Sequence, residues 1–146
     1  MKLDPIFTVK ENKLYKIADD SLVDTATLRR IEIPWSTVEM EDEIYNEEFL
    51  ATLRDQLKQM ETAGTYAILV PLVDKPLTNE IETEYFINAY NHTARRVKDC
   101  ESVAGFELPA ELKDTDAFME KLAIKHAQYV YFTKAKNFTN SSVVKY

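Results

Sequence analysis

Glycine is almost missing from this sequence: Gly64 and Gly105 are the only two in 146 residues. No GxGxxG and no phosphate-binding GxxxxGK loop can be written, so the usual nucleotide cradles are excluded. Cysteine is scarcer. Cys100 stands alone, which excludes an internal disulfide and a zinc site built on cysteines. Its expected role is that of a small buried hydrophobe. Neither a His-x-His nor a His-Glu-x-x-His pattern accompanies the two histidines, so no metal and no cofactor is expected. No apolar run approaches the roughly 18 residues of a membrane span. Positive charge is also short. Eighteen Lys and Arg against 25 Asp and Glu leave a net charge of -7, which disfavours nucleic acid and anionic membrane surfaces as partners. The start, MKLDPIFTVK, lacks the charged-then-apolar pattern of a secretion signal. A cytoplasmic location is therefore expected, and the sequons at Asn91, Asn137 and Asn140 are read as chance.

What is present is a strand–helix alternation. IFTVKENKLYKI, residues 6–17, reads as a hairpin around a polar turn at Glu11-Asn12. Residues 19–27 are a polar connection. LRRIEIPW, 28–35, has strand period: Leu28, Arg30, Glu32 and Pro34 fall on one side, Arg29, Ile31, Ile33 and Trp35 on the other. The acidic run around Glu39, Glu41, Asp42, Glu43 and Glu47 reads as a solvated loop leading into a helix. Asn46 is placed to cap that helix, whose apolar face is Phe49, Leu50, Leu53, Leu57 and Met60, and Gly64 is placed to end it. TYAILVPLV, 65–73, is apolar on both faces, as a strand covered on both sides must be. Asn79 and Glu82 suggest a capping box for a helix running to about Lys98. SVAGFEL gives a third strand. Asp114 or Thr115 caps a helix bearing Phe118, Met119, Leu122 and Ala123, and AQYVYF, 127–132, is a fourth strand. His92 and His126 both fall within predicted helices.

These elements predict one α/β domain over 1–146: hairpin and connection (1–27), a β-α-β-α-β-α-β unit (28–133) and a tail (134–146). Right-handed crossovers then give a mainly parallel sheet of about four strands.

The stretch from Arg29 to Asp74 resembles the second and third strand units of cellulase-type glycoside hydrolases, the clan A barrels. The resemblance rests on Arg30 in a strand, Trp35-Ser36 at its end, Tyr45-Asn46-Glu47 before the helix, and Ala63-Gly64 before the next strand. VAGFELPAEL, 103–112, resembles the fourth barrel strand, which in those enzymes ends in Asn-Glu-Pro. The resemblance implies a half-TIM-barrel-like fold and puts Glu111 at the position of the general acid/base. Ala110 replaces the asparagine, Leu112 replaces the proline, and the third strand ends in VPLVD without the usual histidine. The nucleophile of these enzymes comes from the seventh strand, and a complete barrel takes about 250 residues.

Glycoside hydrolysis needs two carboxylates about 5 Å apart for retention or about 6.5–9.5 Å for inversion. Extended chain would hold the backbones of Glu107 and Glu111 about 13 Å apart, so Asp74, after the neighbouring strand, is the better second acid. The expectation is a half-barrel relative of these hydrolases without catalysis, binding a carbohydrate or other small molecule at the strand ends through Trp35, Asp74, Glu107 and Glu111. Two alternatives stand beside it. One is a protein-interaction or regulatory α/β domain with no small-molecule site. The other is a hydrolase assembled from two half-barrel chains, since open strand edges favour a homodimer. Neither His92, His126 nor a Gly-x-Ser-x-Gly elbow supports nucleophilic catalysis by another route.

Overall fold

Alternate side chains of a parallel strand must be buried on opposite faces, and this sequence supplies two separate apolar sets to do so. In a computed structural model that describes residues 3–146, β1 (Phe7–Lys10) and β2 (Lys13–Lys16) form the N-terminal hairpin. The first two residues of the 1–27 segment lie outside the described range. The hairpin turns at Glu11 and Asn12, both with positive φ (50° and 66°), the backbone that a two-residue hairpin demands.

β3 (Arg29–Pro34), β6 (Ala67–Leu72), β7 (Val103–Glu107), β8 (Val130–Thr133) and β9 (Val144–Lys145) make one parallel sheet in the order β3-β6-β7-β8-β9. The fifth strand comes from the tail. It is two residues long, too short for a period to show in the sequence. α2 (Glu47–Ala63), α3 (Glu80–Arg96) and α4 (Thr115–Ala123) cross over between strands and cover one face. On that face lie Ile33, Leu69, Phe106, Tyr90 and Phe118. The hairpin covers the lower part of the other face, where Phe7 and Leu28 meet Ile68, Val70, Ala104, Val130 and Phe132. We call this second face the inner face.

The predicted caps form. Asn46 Oδ1 accepts from Phe49 N at 3.1 Å, Asn79 Oδ1 from Glu82 N at 2.8 Å, and Asp114 Oδ1 from Ala117 N at 3.0 Å. Glu82 departs from the reciprocal box: its carboxylate reaches Thr78 N at 2.8 Å. Gly64 closes α2 with φ 73°, a left-handed position costly for a side chain.

Two local expectations are corrected. The acidic stretch after Trp35 is a small hairpin, β4 (Glu39–Glu41) and β5 (Ile44–Tyr45), preceded by the single turn α1 (Trp35–Val38). Glu39 is buried there because three donors meet its carboxylate: Trp35 Nε1 at 2.8 Å, Glu43 N at 2.8 Å and Lys75 Nζ at 3.3 Å. His126 lies beyond the end of α4, buried. Cys100 is buried as expected, and burial pushes its thiol up to about 11.

β7 carries one irregularity. Ala67 pairs with Val103 and Ile68 with Gly105, so Ala104 is an extra residue in the register. Strict alternation from Val103 would send Phe106 inward and Glu107 into the helices. The bulge resets the phase: Phe106 joins the helix-side core with Val103, and Glu107 turns to the inner face. Gly105 is required at the same place, because a Cβ there would sit 1.6 Å from Val130 O. Gly105→Ala should lower stability by about 3 kcal/mol or more through this backbone clash. Gly64→Ala, with open space around its Cβ position, should cost only about 1–2 kcal/mol from its left-handed φ. Urea midpoints of the two variants check the order.

Candidate functional site

The C-terminal ends of the strands and the loops that follow them hold every residue singled out from the sequence, but they distribute them over three places. Glu107, aimed inward by the bulge, is nearly buried. Arg30, from β3, gives it Nη2 at 3.0 and 3.2 Å. The Tyr146 hydroxyl donates to Glu107 and accepts from Arg30 Nε at 2.9 Å. The Tyr146 ring meets Phe132 edge-on at 5.6 Å, with Lys134 Nζ 3.6 Å from its centroid. Burial first, then the hydrogen bond to Glu107, push the Tyr146 phenol well above the ordinary tyrosine range. The carboxylate is thus shared between a guanidinium and a phenol on the inner face. Both of its oxygens accept hydrogen bonds.

Asp74, at the loop after β6, is exposed, yet it is tied to Ser36 through both the backbone amide (2.9 Å) and the hydroxyl. It fastens this loop to the first turn of α1. Trp35 is buried, with 3% of its surface exposed. Phe86 packs edge-on to it at 5.1 Å, Lys75 Nζ stands 4.7 Å from the ring centroid, and the indole N–H goes to Glu39. Its expected part as a platform for a sugar ring is therefore corrected. The ring is taken up by the helix-side core and the Lys75 ammonium, so neither face is open for stacking.

Glu111 is exposed and lines a groove of 630 Å³ between the first turns of α3 and α4. That volume lies within the roughly 300–1,000 Å³ common for small-ligand sites. The loops after β6 and β7 wall it at the C-terminal end of the sheet, on the helix side. Leu77, Ile87 and Ala117 supply apolar surface, and Thr83, Asn88 and Lys121 supply donors and acceptors. Glu80, Glu84, Glu111 and Asp114 against Lys113 and Lys121 leave the rim negative. None of Trp35, Asp74 and Glu107 lines this groove. Sequence reasoning missed Asn88 and Lys121, although Glu80, Glu84 and Asn88 recur at i, i+4, i+8 on α3, and Ala117 and Lys121 repeat that spacing on α4. It also missed Tyr146, which no local pattern ties to Glu107.

Among the described residues no group of three or more His, Cys, Asp and Glu side chains is placed to hold a metal, and no helix is long and apolar enough to cross a membrane.

The arrangement has counterparts among solved structures. A GH5_18 protein from Bifidobacterium longum subsp. infantis superposes with a TM-score of 0.55 at 11% identity, over 77% of this chain and 36% of that one. A glutamate-to-alanine variant of a GH5_18 protein from Bifidobacterium longum subsp. longum, in complex with Manβ1-4GlcNAc, superposes with the same TM-score at 12% identity and the same coverage. The fold matches part of a TIM barrel. The chain spans little more than a third of the length of these structures. No family model and no curated protein matches the sequence. The clan A resemblance in the strand units is matched at the level of fold.

Two predictions separate the structural carboxylate from the open one. Glu107→Gln should cost about 1–2 kcal/mol, since charge-assisted bonds to the half-exposed Arg30 are lost. Glu111→Gln should stay within about 0.5 kcal/mol, as exposed substitutions do. Chemical denaturation of both variants reads the difference. Second, burial raises the phenols of Tyr90, Tyr129, Tyr131 and Tyr146 above the ordinary value of 10.0. The neutral forms are then favoured in the folded state, so their contribution is complete below about pH 10 and is lost as pH rises towards the folded values. Absorbance titration at alkaline pH should show these four ionising only together with unfolding.

Proposed function

We propose that the protein is a non-catalytic half-barrel relative of glycoside hydrolases that binds a small polyhydroxylated molecule in the groove beside Glu111. The observation that carries the reading is the separation of the acids. Glu107 is paired with Arg30 and hydrogen-bonded by Tyr146, Asp74 is fastened to Ser36, and only Glu111 of the three opens onto a cavity. A hydrolase needs two carboxylates facing one scissile bond. Here the acid on the strand and the acid in the loop after it serve different surfaces.

The groove's chemistry suits a sugar-like ligand. Apolar patches at Leu77, Ile87 and Ala117 can meet C–H faces, and Thr83, Asn88, Glu111 and Lys121 can exchange hydrogen bonds with hydroxyls. Its negative rim disfavours phosphorylated or carboxylated ligands and suits neutral ones. With no aromatic ring in its lining, binding relies on hydrogen bonds, and a Kd in the millimolar range is expected. The disaccharide Manβ1-4GlcNAc, held by the similar GH5_18 structure, is the first candidate, with its component monosaccharides beside it.

Titration of ¹⁵N-labelled protein with these sugars should give saturable shifts at Thr83, Asn88, Glu111 and Lys113, with the Trp35 indole unmoved, and Asn88→Ala should abolish the saturation. No shift at tens of millimolar sugar would sink the binding reading. Turnover of an aryl glycoside that disappears in Glu111→Gln would overturn the non-catalytic part.

A further inference from the structure

β3 is the edge of the parallel sheet, and it ends the sheet with charges rather than with a covering element. Among the described residues β3 pairs only with β6. Arg29 N donates to Tyr66 O at 2.9 Å on the β6 side. Successive residues of a strand address opposite neighbours, so Arg29, Ile31 and Ile33 face β6, and Arg30, Glu32 and Pro34 turn their backbone groups outward. Pro34 has no N–H, and the Leu28 N–H is already given to Thr25 O at 3.1 Å. A ladder on this edge therefore has only Arg30 and Glu32 to offer both donor and acceptor. Both side chains are exposed. Among the described residues Glu32 has no hydrogen-bond or salt-bridge partner. Arg30 spends Nε and Nη2 on Tyr146 and Glu107, which leaves the Nη1 hydrogens unspent.

We infer that β3 pairs antiparallel with β3 of a second copy of this chain, with Ile31 on the twofold axis. The register follows from charge. A closed dimer needs an isologous interface, so edge pairing must be antiparallel. Centring on Arg30 sets like charges opposite each other, and centring on Glu32 does the same and meets the missing donor of Pro34. Centring on Ile31 sets each Arg30 opposite the partner's Glu32. Two hydrogen-bonded pairs form, four backbone hydrogen bonds in all. Opposite charges then stand on the same face of the joined sheet, each Arg30 beside the partner's Glu32, and the half-buried Ile31 side chains meet on the helix side. Such a dimer extends two five-stranded sheets into one and does not close a barrel. The inference is independent of the groove and of any sugar.

At the non-hydrogen-bonded Ile31 pair the Cα atoms would stand about 4.5 Å apart, within disulfide reach. Under mild oxidation Ile31→Cys should form a covalent dimer at least about tenfold faster than the exposed control Thr62→Cys. The native Cys100 is buried and does not compete. Sedimentation velocity of the unmodified protein should show a monomer–dimer equilibrium between micromolar and hundreds of micromolar. Glu32→Lys, which sets a cation against the partner's Arg30, should shift it to monomer without lowering thermal stability at low concentration. A protein that stays monomeric throughout that range overturns the proposal. So does Ile31→Cys cross-linking no faster than Thr62→Cys, or a dimer that Glu32→Lys leaves intact.

Discussion

The contact of Gly105 with the backbone of Val130 is the constraint on which the sheet's two-sided burial turns. It permits β7 and β8 to approach where a Cβ would collide with a carbonyl oxygen, and it lies at the bulge that changes which face each later residue occupies. Phe106 therefore reaches the helices and packs edge-on to Phe118 and Tyr129. Glu107 is sent the other way, to the guanidinium of Arg30. One residue without a side chain thus decides both the aromatic core and the fate of the carboxylate at the strand end.

That carboxylate shows how a charge is accommodated on the inner face of a partial-barrel sheet. The inner face of a complete barrel is filled by layers of side chains from all of its strands. Here the hairpin takes over the lower part of the face, and the Tyr146 ring covers Phe132 above it. A charge left on the exposed upper part would be costly to half-bury alone. Pairing Glu107 with Arg30 and Tyr146 removes that cost.

Much of the fold was legible because its signals are local. Asn46, Asn79 and Asp114 cap the three long helices, Gly64 ends α2, and the apolar run of 65–73 is buried on both faces. The parts that escaped depend on distant residues. β9 is two residues held by a neighbour, and Glu39 looks like one acid among several until Trp35, Glu43 and Lys75 converge on it. Tyr146 meets Glu107 across 39 residues of chain. For the site, Glu111, expected in the loop after the strand, does line a cavity. Trp35 misled because periodicity places a residue on a face and does not say whether a later helix will cover it. Phe86, fifty-one residues on, does so.

The turn of the N-terminal hairpin has a consequence for how the chain is assembled. Asn12 donates its side-chain amide to Asn140 O at 2.8 Å and Val143 O at 2.7 Å, and its backbone carbonyl accepts from Lys145 N at 3.1 Å. These bonds close loops of nearly the whole described chain, so they carry the largest entropic delay of any in the structure. During synthesis the hairpin emerges well before β9, and these bonds wait until that strand arrives. The hairpin is therefore made before the rest of the sheet and is among the last of the described elements to complete its hydrogen bonds.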